Sequence, residues 1–229
     1  MRAASRICQI AKVLAKPSIS KQFSQTRQLF NTMKLLTVQP ELTAALKTEI
    51  EAEMKLEAEN LRGASPPTIP GFTLSTNDAE VRLTKMHGSE KIDVIFNVNH
   101  SVEMGDESSE SADPVALPPF TIEITKGDQR FCFHMELVET ENGSFDFSVE
   151  EYYVAPAAKA NNEDVPESVY ASSGRYIDPK LHDLLFIRYL EERGFDQQFC
   201  LDLVQFATHY EHNRYVDLLK RIDNFVSKP

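Results

Sequence analysis

The chain lacks the short signatures by which many enzymes are recognised. Only eight glycines occur among its 229 residues, and neither glycine-rich signature that binds nucleotide phosphates is present. The G-x-S-x-G signature of serine hydrolases is absent as well. The three cysteines include no C-x-x-C pair, so neither a zinc site nor a disulfide framework is indicated. These absences argue against an enzyme, and the sequence indicates no cofactor.

Long apolar runs and basic clusters are also missing. No run of 18 apolar residues occurs, so the sequence predicts no membrane span. Beyond residue 40 there is no cluster of Lys and Arg, which argues against direct binding of duplex nucleic acid. The chain instead has 35 acidic residues and a net charge of −11. Such a charge attracts basic proteins, basic peptides and cations.

Acidic residues are absent from the first 40 positions. The first acid is Glu41, whereas residues 1–34 contain seven Lys and Arg residues and several serines. This composition predicts a mitochondrial presequence at 1–34 that is removed by cleavage. The alternative is a basic arm that binds nucleic acid or anionic lipid. Without these residues, 17 basic residues oppose 35 acidic ones, so the net charge becomes −18.

Residues 35–229 have the length of one acidic domain, and their patterning predicts an α+β fold. From residue 71, apolar and polar residues alternate, as in Ile92, Val94 and Phe96, which predicts about seven strands with one buried face. Short turns join these strands, the strongest being a type I′ turn at Asn142-Gly143. Because short turns require antiparallel neighbours, the sequence predicts an antiparallel meander.

Helical patterns flank the predicted sheet, one before it and two after it. Apolar residues recur every four positions and predict the inward face of the N-terminal helix: Leu42, Leu46, Ile50 and Met54. Asp178 and Asp196 are the predicted N-caps of the two C-terminal helices, and Gly194 ends the first of them. The last helix carries an apolar seam that we assign to contacts between subunits or, equally, to packing inside the chain: Leu203, Phe206, Tyr210, Leu218 and Ile222.

A long acidic segment interrupts the strands at residues 103–119. It is rich in Ser and Pro, and we expect it to be a mobile loop. Five of its acids form the predicted surface for basic partners: Glu103, Asp106, Glu107, Glu110 and Asp113. Their order differs from that of an EF-hand loop, so weak, low-affinity calcium buffering is the alternative role.

The sequence gives only weak support for catalytic or metal-binding residues. A hydrolase could use carboxylates on the polar face of the sheet: Asp93, Glu123, Glu136, Asp146 and Glu150. Cys132 and His134 share a strand face, but positions i and i+2 lie about 7 Å apart, too far for a nucleophile and its base. His209 and His212 lie three residues apart on a helix, without the third ligand that a metal site requires.

The C-terminal segment "YLEERGFDQQFCLDLVQFATHYEHNRYVDLLKRIDNFV" resembles the end of the mitochondrial acidic matrix protein family, also called the mitochondrial glycoprotein family. Residues 189–194 match the end of a helix in that family. The family pattern of the following helix is matched by Glu211, Tyr215, Leu219, Ile222 and Phe225. Ile222 stands where the family often has Leu. The order of presequence, first helix, strands and acidic loop is similar as well.

The resemblance implies a twisted seven-stranded sheet with three helices, and a ring-shaped homotrimer with one very acidic face. It also implies a protein of the mitochondrial matrix without a known reaction. Such proteins bind basic proteins, including ribosomal and RNA-binding proteins, and support mitochondrial ribosome function, translation and oxidative phosphorylation. Animal members are linked to complement and hyaluronan at the cell surface. We do not extend that role to this chain, because its predicted presequence directs it inward.

Deleting residues 1–34 is expected to leave folding intact and to abolish delivery to mitochondria, because this segment has no long apolar face that a core could use. Circular dichroism of the shortened chain and fractionation of cells that express it would check both points. A shortened chain that still enters the matrix, or that fails to fold, would contradict the presequence.

Overall fold

A computed structural model describes residues 38–60, 67–103, 114–159 and 165–228. The predicted presequence therefore lies outside the described residues. The strands are β1 Thr73–Asn77, β2 Glu80–His87, β3 Glu90–Asn97, β4 Val102–Glu103, β5 Val115–Ala116, β6 Phe120–Lys126, β7 Gln129–Glu139, β8 Phe145–Pro156 and β9 Ser172–Ser173. Seven of them form one antiparallel sheet in the order β1-β2-β3-β6-β7-β8-β9, which confirms the predicted meander.

Tight turns join four of the neighbouring strand pairs, β1–β2, β2–β3, β6–β7 and β7–β8, because each turn returns the chain beside the strand it has just left. Gly88 and Gly127 adopt positive φ angles of 59° and 62° between successive strands. At the turn from β7 to β8 only Gly143 has a positive φ. The predicted type I′ turn, which needs positive φ at both central residues, is therefore wrong. The Asn142 side chain instead accepts a hydrogen bond from the Ser144 N–H at 3.4 Å.

The segment predicted as a mobile loop, residues 103–119, is ordered at both ends. A short ladder joins β4 to β5. The Ala116 N–H donates to Thr208 Oγ1 at 2.9 Å, on the last helix. Residues 114–119 therefore belong to the packed domain, contrary to the prediction, because the alanine is buried against that helix. Residues 104–113 lie outside the described residues.

One face of the sheet forms the core. The side chains that alternate inward are fully buried, among them Ile92, Val94, Ile122 and Phe133. They pack beneath the C-terminal helices, whose buried residues include Phe186, Leu190 and Phe199. Burial of a large apolar side chain stabilises a fold by about 1.5–3 kcal/mol, so this face holds the layers together.

The helices have identifiable start and stop signals. Asp178 accepts hydrogen bonds from two backbone N–H groups at the start of the helical segment 179–191, as predicted. That segment comprises α2 Pro179–His182, a π-helical stretch Asp183–Arg188 and α3 Tyr189–Glu191. Gly194, with φ of 80°, ends it. Asp196 caps α4 (Gln197–Val226) by accepting the Phe199 N–H at 2.9 Å. No helix in the described residues is long and apolar enough to cross a membrane.

The N-terminal helix α1 (Gln39–Asn60) packs along the far half of α4. Leu46 is buried, but Leu42 and Met54 are 39% and 50% exposed, so the predicted inward face is only partly correct. The inward positions also include Glu53, whose carboxylate lies 3.5 Å from His212 Nδ1 on α4. The contact is thus partly polar, and an apolar period alone could not predict its orientation.

A buried ion pair joins the helical cover to the sheet. Arg193 Nε donates to Glu90 Oε2 at 2.9 Å, and both side chains are buried. The guanidinium also lies 3.5 Å from the ring of Tyr189 and donates to that residue's carbonyl. This hydrogen bond from Arg193 is the main reason that the pKa of Glu90 is lowered below its ordinary value of 4.5.

Glu90→Gln is expected to lower the free energy of unfolding at pH 7 by roughly 3 kcal/mol, because it leaves the buried Arg193 with only the exposed carboxylate of Glu192, 3.7 Å away, as a counter-charge. A carboxyl with a lowered pKa stabilises the fold above its ordinary pKa and loses that effect as the pH falls through the folded-state value. The difference from the parent chain should therefore shrink below about pH 4.5. Urea titrations at several pH values would measure it.

Glu41→Gln, an exposed substitution on α1, is the matched control and should change stability by less than about 0.5 kcal/mol. If the free energies of unfolding of Glu90→Gln and the parent chain differed by the same amount down to pH 3, the lowered pKa of Glu90 would be contradicted.

Candidate acidic binding surface

Two neighbouring carboxylates on the polar face of the sheet are held in ion pairs. Asp93 and Glu123 lie opposite each other on β3 and β6. Asp93 is 4% exposed and lies 2.8 Å from Lys91 Nζ. Glu123 accepts a hydrogen bond from Arg130 at 3.0 Å. These two acids are therefore neutralised locally, and they contribute little to an external negative field.

The five carboxylates considered for a hydrolase do not converge. Only Asp93 and Glu123 are direct neighbours across the strands. Glu136 lies opposite Ser148, on the pair of strands β7 and β8. Asp146 and Glu150 line a separate groove at the outer edge of β8. The geometry thus offers no pair of carboxylates with a shared base on the polar face of the sheet.

The pairs Cys132–His134 and His209–His212, which the sequence already argued against, have other contacts in the structure. Burial is the main cause that raises the pKa of Cys132 to about 12, which keeps it a thiol rather than a nucleophilic thiolate. His134 instead contacts Thr121 Oγ1 at 3.0 Å. His209 contacts Asn213 at 2.9 Å, while His212 faces α1. Within the described ranges, no group of three or more His, Cys, Asp or Glu side chains could hold a metal ion.

The predicted apolar seam of α4 divides into two parts. Leu203, Phe206 and Tyr210 are buried in the core of the chain, with exposures of 0%, 1% and 9%. They therefore pack inside the chain and cannot also contact a neighbouring subunit. Leu218 and Ile222 remain 49% and 36% exposed, so they alone of the five are available for contacts between subunits.

The predicted acidic surface is described at one position only. Glu103 lies in β4, while Asp106, Glu107, Glu110 and Asp113 lie outside the described residues. Acids that are exposed in the structure occur elsewhere, for example Glu41, Glu49 and Glu51 on α1. Negative charge is thus spread over the helices as well as over the predicted loop.

A groove of about 580 Å³ lies where β8, the helical segment 179–191 and the start of α4 meet. Its apolar lining consists of Phe147, Val149, Phe186, Ile187 and Phe195, and its carboxylates are Asp146, Glu150, Glu191 and Asp196. The sequence alone does not predict this site, because its parts are distant in the chain. The alternation of acids with phenylalanine in "SFDFSVEE" was the available signal.

Comparison with known proteins identifies the relatives of this fold. The family model described as mitochondrial glycoprotein matches residues 46–226. "Conserved regulator of innate immunity protein 3" of Caenorhabditis elegans is 56% identical over 236 residues, with full coverage of both chains. The bovine "Complement component 1 Q subcomponent-binding protein, mitochondrial" is 28% identical over 200 residues, which cover 79% of this chain and 69% of the bovine one.

A solved structure from Leishmania major, titled a homologue of human p32, agrees with the fold. Its TM-score is 0.61 at 18% identity, with coverage of 83% of this chain and 100% of that one. The family description refers to a mitochondrial protein and the bovine name to a binding protein, and neither names a reaction. From the match over most of its length and the nematode identity, the chain belongs to the mitochondrial glycoprotein (MAM33) family.

Proposed function

We propose that the chain is a non-enzymatic acidic binding protein of the mitochondrial matrix, with a chaperone-like or scaffold role. It engages basic proteins, such as ribosomal or RNA-binding proteins, and thereby supports mitochondrial ribosome function, translation and oxidative phosphorylation. The observation that carries the proposal is the net charge of −18 over residues 35–229. Family and relative names that include the word mitochondrial support a mitochondrial location.

The mechanism is attraction by summed charge. The best-buried carboxylates, such as Asp93 and Glu90, are already paired with Lys or Arg, whereas the exposed acids of α1 face solvent. An exposed pair contributes only about 0–1 kcal/mol, but a field from many acids attracts cations over a Debye length of about 8 Å at physiological salt. Association is therefore fast and weakened by salt.

Two alternatives have less support. A hydrolase would need carboxylates and a base that converge, and the described carboxylates of the sheet face are dispersed or paired. A low-affinity calcium buffer would need oxygen ligands from residues 103–113, of which only Glu103 is described. A scaffold needs neither arrangement, since it depends on charge that is present whatever the local geometry.

We further propose that three copies assemble into a ring. The support is exposed apolar surface on two helices, including Leu218, Ile222 and Phe225 on α4 and Leu56 on α1. A trimer would bring together three domains of −18 each and so strengthen the field. Light scattering at micromolar concentration should give three times the chain mass, and Leu218→Glu with Ile222→Glu should reduce it. A monomeric mass for the parent chain would contradict the ring.

Binding of a basic ribosomal protein should weaken steeply as salt rises, because counter-charges screen the field. Replacing the five loop acids together by Asn and Gln (Glu103, Asp106, Glu107, Glu110 and Asp113) should weaken binding without lowering the unfolding temperature. Each single replacement should cost less than about 1 kcal/mol. Fluorescence titrations between low and high salt would measure these effects.

Naked duplex nucleic acid serves as the negative control in the same titration, since few Lys and Arg are available to release counterions from it. Affinity that did not change with salt, or that one point variant abolished, would contradict binding by summed charge.

A further inference from the structure

The outer edge of β8 is open beside the groove. Strand β7 pairs with β8 from Phe145 to Pro156, whereas β9 pairs with it only at Glu151 and Tyr152. Gly174 lies against the Val149 carbonyl and donates its N–H to the Glu150 carbonyl at 3.1 Å. In the parts of the chain that the structure describes, the outer edge of β8 is therefore unpaired over residues 145–148. An unpaired edge presents backbone N–H and C=O groups to which another extended segment can bind.

The floor of the groove is apolar and fixed. Phe186 and Phe195 are 2% and 0% exposed. Each ring makes an edge-to-face contact in the core: the ring centroids of Phe186 and Phe133 are 6.3 Å apart, and those of Phe195 and Phe199 are 5.0 Å apart. Phe147 and Ile187 continue this lining toward the solvent. Phe186 and Phe195 therefore support the groove from beneath, and the apolar surface open to a bound side chain is that of Phe147 and of Ile187, which is 42% exposed.

The rim of the groove is negative, with four carboxylates against one guanidinium. Two of the acids are engaged: Glu150 lies 2.7 Å from Arg175, and Asp196 caps α4. Asp146 and Glu191 are exposed; Asp146 accepts a hydrogen bond from the Phe147 N–H at 2.8 Å, and neither acid has an ion-pair partner among the described residues. After burial, Asp146 and Asp196 are the charges that raise the pKa of Cys200, to about 12. The field at the groove therefore favours a cation.

We propose that the groove binds an extended basic segment of a partner protein as an additional strand on β8. Side chains of a strand alternate between two directions, so an apolar residue packs against Phe147 and Ile187 while a neighbouring Lys or Arg reaches Asp146 or Glu191. Main-chain hydrogen bonds to the edge supply affinity, and the alternation supplies specificity. This inference rests on the proposed function, because it names the form in which one basic partner is held.

The test uses the full chain and a fluorescent eight-residue peptide of alternating Lys and Val. The first comparison peptide has the same composition in two blocks, four Lys and then four Val. The second is the alternating peptide with every other backbone nitrogen methylated, which removes donors for the strand ladder. The alternating peptide should bind at least about tenfold more tightly than either, a factor equal to about 1.4 kcal/mol.

The paired variants separate the groove from the overall charge. Asp146→Asn with Glu191→Gln removes two charges at the rim and should weaken binding of the alternating peptide by about tenfold, as expected for two lost charge-assisted contacts. Glu41→Gln with Glu51→Gln removes the same charge from exposed positions of α1. That control should change affinity by no more than about twofold.

If both double variants weakened peptide binding equally, or if all three peptides bound equally tightly, the proposed binding in the groove would be wrong. Binding by summed charge would remain possible. Failure of every basic peptide to bind at low salt would overturn the proposed function as well. Light scattering of the variant Asp146→Asn with Glu191→Gln tests whether a second copy of the chain occupies the edge instead. A changed assembly mass would mean that a second copy of the chain occupies the edge, and would also overturn the inference.

Discussion

The contact between Arg193 and Glu90 is the constraint on which the helical cover of the sheet depends. It fixes the end of the helical segment 179–191 against β3, and Lys85 on the neighbouring strand donates a hydrogen bond to the Arg193 carbonyl. Gly194 then turns the chain, so that α4 starts directly above the apolar face. A buried charge without its partner would be costly, and these residues therefore determine where the longest helix begins.

Paired and unpaired charges occupy different places in this protein. Inside the fold, the two buried carboxylates of the described residues lie beside cations, Asp93 beside Lys91 and Glu90 beside Arg193. Outside it, acids of α1 and of the groove rim face solvent. A chain of such high negative charge can fold because the repulsive excess stays in water, where screening is strong. The same separation leaves that excess available to partners.

Much of the fold could be predicted from local patterns. Alternation identified the strands and their buried face, and Asp178 and Asp196 identified the helix starts, because both signals depend on neighbours in the chain. The orientation of α1 could not be predicted, since its contact with α4 uses Glu53 and His212 as well as leucines. The groove was missed for a similar reason: Asp146, Gly174 and Glu191 meet only in three dimensions.

The two buried cysteines allow local opening of the fold to be measured by chemical modification. Cys132 lies within the sheet and Cys200 within α4, each fully buried as a protonated thiol. Alkylating reagents attack thiolates that they can reach, so each thiol becomes reactive only when its part of the fold opens. The rate of modification at each position would therefore give the free energy of local opening in the sheet and in the helix separately, without any label added to the chain.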